Sequence, residues 1–188
     1  MPFNDETRER LCSILGAGLT HLTNVPADIQ LTQAPAQNEE RLRLARNMMI
    51  SLLRQPEHEA QMEALFGTLQ RACQDGSFAN HALDLANQVQ QLLSLALRFP
   101  QFLDAFDANS ALVTLYYFIV SVMLCAEVGV NTITQHEATI VSVAVLLNRV
   151  LLNRQVYETS RSLLRGLARA CGCLCARMSR GCSRAAAE

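Results

Sequence analysis

With 188 residues, half of them apolar and 18% charged, the chain can bury a core of its own and is too apolar to be disordered over most of its length. A formal net charge of −1 excludes the global field that draws a protein onto nucleic acid. Seven cysteines (Cys12, Cys73, Cys125, Cys171, Cys173, Cys175 and Cys182) form an odd set with no basic-then-apolar leader ahead of them. This predicts an intracellular, reducing location, cytosolic or at the membrane periphery.

Asn4 caps a first predicted helix that opens with Asp5 and Glu6 and carries Leu11, Ile14, Leu15, Leu19 and Leu22 on one stripe. Gly16 and Gly18 weaken it or admit a close neighbour, and residues 23–37, with Pro26 and Pro35, read as a loop. A second helix starts at Asn38 and directs Leu42, Leu44, Ala45, Met48, Met49, Leu52 and Leu53 inward. Pro56 suits the first position of a third, whose apolar residues are Met62, Leu65, Phe66 and Leu69 and which stops at Asp75-Gly76. Ser77 is the predicted cap of a fourth, with Leu85, Val89, Leu92, Leu93, Ala96 and Leu97 at three- and four-residue steps. Pro100 ends it, and a short turn over 101–106 leads to a cap at Asn109 or Ser110.

From Ala111 to Val130 the run is apolar on every helical face, Glu127 and the tyrosines apart. Such a helix is buried on all sides or meets lipid, and its length just reaches the roughly 20 residues of a membrane span. Gly129 and Asn131 suggest a turn, and Thr134 with Glu137 has the spacing of a capping box, which starts a sixth helix near Gln135. The two apolar helices then form an antiparallel hairpin. A last amphipathic helix, from Glu158 to Ala170, places Leu163, Leu164 and Leu167 beside Arg161, Arg165 and Arg169. The expected fold is all-α: a six- to seven-helix bundle with a central hydrophobic hairpin. Its expected division is a helical domain over 1–170 and a flexible Cys/Arg-rich tail over 171–188.

The charge is unevenly placed. Eight arginines follow residue 148, against Glu158 and Glu188 alone. Four cysteines crowd the same end, where a basic amphipathic stretch and thiols supply the two signals that stable membrane anchoring requires. Cys171, Cys173, Cys175 and Cys182 are therefore candidate lipidation sites, and Arg161, Arg165, Arg169, Arg177 and Arg180 a candidate surface for anionic membrane. Zinc is a weaker account, because no second ligand pair accompanies the cysteines, and a tail with inert thiols is the plain alternative.

Arginine supplies all sixteen basic residues and lysine is absent. A GC-rich genome would favour this, but ten asparagines, which share lysine's codon box, make that cause incomplete. Selection against lysine is the other reading: lysine accepts ubiquitin and arginine does not.

The four histidines, His21, His58, His81 and His136, fall on separate segments, and no nucleophile elbow, phosphate loop or H-E-x-x-H motif occurs. Neither a cofactor nor a catalytic residue is expected. A central apolar hairpin within a bundle resembles apoptosis-regulator and pore-forming domains and small helical viral matrix proteins. The Asn-Trp-Gly-Arg signature of the first group is missing, and the chain has no tryptophan. The functional expectation is a non-enzymatic adaptor, regulator or structural protein that acts through protein contact and self-association, with an anionic membrane surface as a further partner. A membrane-inserting effector that releases the hairpin comes second. Nucleic acid ranks last, since Tyr157 is the sole aromatic residue near the basic end.

Overall fold

The computed structural model describes residues 4–21, 35–99, 102 and 111–151. Every regular element among them is helical: α1 (Asp5–His21), α2 (Pro35–Leu53), a 3-10 turn (Pro56–His58), α3 (Glu59–Gln74), α4 (Ala82–Ala96), α5 (Ala111–Cys125), α6 (Val130–Gln135) and a helix over 137–151, α7. The protein is an all-α bundle. The chain forms two compact units, Met1–Asn148 and Arg149–Glu188, and the bundle is the first. The expected boundary at residue 170 lies outside the described residues, as do the predicted turn over 101–106 apart from Phe102, the caps at Asn109 and Ser110, and the helix over 158–170.

The local signals act where the chemistry says they should. Asn4 accepts the Thr7 backbone N–H on Oδ1 at 2.7 Å and takes the Thr7 hydroxyl at the same distance, which satisfies donors that the first helical turn leaves orphaned. At the other end of α3, Gly76 takes φ +65°, and Ser77 N–H donates to the Ala72 carbonyl at 2.9 Å. That is the left-handed stop glycine makes without strain. Most of the predicted stripe residues are buried: Leu11, Leu15 and Leu19; Ala45, Met48, Met49, Leu52 and Leu53; Met62, Leu65, Phe66 and Leu69; Leu85, Val89, Leu92, Leu93 and Ala96, whereas Ile14, Leu42, Leu44 and Leu97 are half-buried.

α5 is the axis of the bundle. All its residues except Leu112 are buried, and it packs most extensively on α2, then on α1, with α3 also against it. A helix apolar all round is stable in water only when amphipathic neighbours cover each face, and these three supply their stripes. Its one buried serine solves its polarity locally: the Ser121 hydroxyl donates to the Tyr117 carbonyl at 2.7 Å. Gly18 lets α1 come close, since a Cβ there would lie 2.7 Å from a methyl carbon of Leu124.

Four expectations need correction. α2 begins at Pro35 instead of Asn38, because proline's fixed φ fits a first helical turn, where no donor is missed. Ser77 does not cap α4; its carbonyl instead accepts from Asn80 and His81 in a separate turn, and α4 starts after His81. That turn seats Phe78 in the core at 1% exposure, edge-tilted against the His136 ring. α5 ends at Cys125, five residues short of Val130. The capping box is not formed: Thr134 sits inside α6 and donates its hydroxyl to the Val130 carbonyl at 3.0 Å, while the His136 carbonyl accepts from Thr139 and Ile140 to open α7.

The early end of α5 bears on the membrane question. Fifteen residues rise about 22 Å, less than the roughly 30 Å hydrocarbon core of a bilayer. Among the described residues no helix is long and apolar enough to cross a membrane. α7 buries a regular stripe, Ile140, Val143, Ala144 and Leu147, and leaves Leu146 exposed.

Burial also sets the alkaline behaviour of the core. Tyr116 and Tyr117 meet edge to face with centroids 5.6 Å apart. Burial pushes the Tyr117 phenol up to about 12. Tyr116 is raised by burial first, then by the carboxylate of Glu137 and by Tyr117. The fold therefore favours the neutral phenols: their contribution to stability is complete below pH 10 and is lost as the pH rises through 12. Urea midpoints are expected to hold level from pH 8 to 10 and then to fall steeply, with phenolate absorbance at 295 nm from these two residues appearing only as the chain unfolds. Full ionisation of all three tyrosines near pH 10 in the folded protein would contradict this packing.

Candidate functional site

A depression on the described surface is built by three separate helices. It lies where the C-terminus of α5 meets α1 and α3, with a volume of about 320 Å³. Leu11, Phe66 and Ala126 form its floor, and Arg10, Glu63 and Glu127 its charged rim.

The rim follows from how α5 ends. Val128 N–H donates to the Met123 carbonyl at 3.0 Å and Glu127 N–H to Leu124 at 2.9 Å. This closure requires a left-handed residue between them, and that residue is Glu127, with φ +59°. A side chain in this conformation costs about 1 kcal/mol relative to glycine. In return the turn projects the Glu127 carboxylate to Arg10, 2.6 Å from its Nη2. Both groups are largely exposed, so water screens the pair and its contribution to stability is small. A second pair, Arg8 with Glu59 at 3.3 Å, ties α1 to α3 and is less exposed.

The lining offers charged groups for ion pairing beside apolar surface. Cys125 lines the depression, and burial, with Cys12 nearby, raises its thiol far above the neutral range, which disfavours the thiolate form. His58 lies 3.6 Å from Glu57 and His81 3.7 Å from Asp84. Each pair joins near neighbours in the chain, outside the depression. The described residues hold no group of three or more side chains that could bind a metal ion.

The sequence-predicted sites, Cys171, Cys173, Cys175 and Cys182 with Arg161, Arg165, Arg169, Arg177 and Arg180, all lie outside the described residues. Conversely, the rim of Arg10, Glu63 and Glu127 carries no signature in the sequence, since three helices far apart in the chain assemble it. Only the charge division was legible: residues 1–148 hold fifteen of the seventeen acidic residues and eight of the sixteen arginines, and residues 149–188 hold the other eight arginines. No protein-family model, curated protein or solved structure matches the chain.

Proposed function

We propose that this is a non-enzymatic helical interaction protein, an adaptor or structural component that self-associates and that its Cys- and Arg-rich end holds at an anionic membrane surface. The observation that carries the reading is the charge division. The bundle unit is acidic and the following unit basic, and the change falls at the boundary between the compact units. Opposite charge on two units of one chain favours contact between copies, steers their encounter and is weakened by salt. The depression, with acidic groups over an apolar floor, suits such a contact. Releasing the hairpin into a bilayer is less favoured, because α5 would have to span with a helix of 15 residues.

Sedimentation velocity on the full chain tests self-association. Association that rises with concentration is expected at 50 mM NaCl and dissociation at 500 mM, and reversing Arg161, Arg165 and Arg169 to Glu should leave a monomer at both. A wild type that stays monomeric at low salt would rule this function out. For the membrane arm, acyl-biotin exchange in cells should label the wild type and not a variant with Cys171, Cys173, Cys175 and Cys182 all changed to Ser.

A further inference from the structure

The absence of lysine takes on a different weight once the arginines are placed. Arginine outperforms lysine where its planar fork pairs with a carboxylate or stacks on a ring. Arg8 and Arg10 are such places, each paired with a carboxylate. Arg43 and Arg46 on α2, Arg54 just beyond it and Arg98 just beyond α4 are not. All four are exposed, and none of their side chains makes a hydrogen bond or ion pair with a described residue. At exposed helix positions the two residues have nearly equal helix propensity, so the fold is indifferent between them. Codon bias does not account for the absence by itself, because the ten asparagines show that the shared codon box is in use.

We propose that the surface of this protein is kept free of lysine so that it escapes amine-directed conjugation, transfer of ubiquitin above all. In that transfer an unprotonated lysine Nζ attacks the carbonyl carbon of the thioester joining ubiquitin to its carrier enzyme. A C–N bond forms, the C–S bond breaks, the carrier cysteine leaves as thiolate, and the amine proton passes to a base or to solvent. Lysine, with a pKa of about 10.4, supplies the free amine, whereas a guanidinium stays protonated and delocalised. Among the described residues the thiols are poor substitutes: Cys125 is buried and Cys12 and Cys73 are half-buried. An interaction protein that must persist on its partners gains lifetime from such a surface without any change to its fold.

The test introduces the amine where the structure tolerates it. Arg43→Lys, Arg46→Lys, Arg54→Lys and Arg98→Lys are combined in the full chain, beside a second variant with Gln at the same four positions. Both should melt within a few degrees of the wild type, as surface substitutions do, and Arg46→Lys alone serves as a milder version. In pulse-chase labelling of cultured eukaryotic cells, the lysine variant should lose at least threefold in half-life and recover it when the ubiquitin-activating enzyme is inhibited. The Gln variant should live as long as the wild type. An unchanged half-life for the lysine variant, a shortening that persists under the inhibitor, or an equal shortening in the Gln variant would each overturn the proposal. None of these results depends on self-association.

Discussion

Phe118→Ala is expected to lower the unfolding free energy by about 3–5 kcal/mol, as the loss of a whole aromatic ring from a packed core does. Phe118 has no exposed surface and sits at the middle of α5, the helix that α1, α2 and α3 surround. The deletion leaves a void that rigid neighbours cannot close, because helices on several sides depend on one another for position. Urea unfolding followed by circular dichroism measures it, with Leu83→Ala as the control. Leu83 is 64% exposed at the start of α4, and its loss should change stability by no more than about 0.5 kcal/mol. A Phe118→Ala effect under 1 kcal/mol would mean that α5 is not the axis of the bundle.

Gly18→Val is the second large effect, and Gly16→Ala is its counterpart of opposite sign. Both glycines lie in the C-terminal half of α1, and within a helix glycine costs about 0.5–1 kcal/mol relative to alanine. At Gly16 a Cβ meets nothing within 4 Å, so alanine should recover that amount. At Gly18 a Cβ would meet Leu124 at 2.7 and 2.9 Å, and Leu124 is itself buried. Valine adds two further carbons there, and overpacking of this kind costs about 1–3 kcal/mol. Thermal melts of the two variants should move in opposite directions; a shift in the same direction would show that α1 and α5 are not in close contact at Gly18.

These two glycines also mark the limit of what was readable. In sequence they are alike, each a weak point in an amphipathic helix, and both suggest either flexibility or a close approach. The distinction depends on which partner lies opposite, and that is a property of the assembled bundle. The ends of α5 show the same limit. Composition predicts an apolar run through Val130, but hydrophobicity does not say where the backbone leaves the helix. The turn at Glu127 is stabilised by hydrogen bonds to Met123 and Leu124 and by the carboxylate's reach to Arg10, more than a hundred residues away. The capping box at Thr134 failed for a related reason. Gly129 opens a short helix first, so Thr134 is already inside one when the pattern asks it to begin one.

What the sequence determined by itself is the helical class, most of the stripes that face the core, the cap at Asn4 and the stop at Gly76, and the separation of acidic from basic charge. All of these arise from residues within a turn or two of each other, or from composition alone. Tertiary structure decided the true length of α5, the path between the two apolar helices, the close contact at Gly18 and the depression rimmed by Arg10, Glu63 and Glu127. Each of those needs groups brought together from distant parts of the chain, and local periodicity carries no information about such meetings.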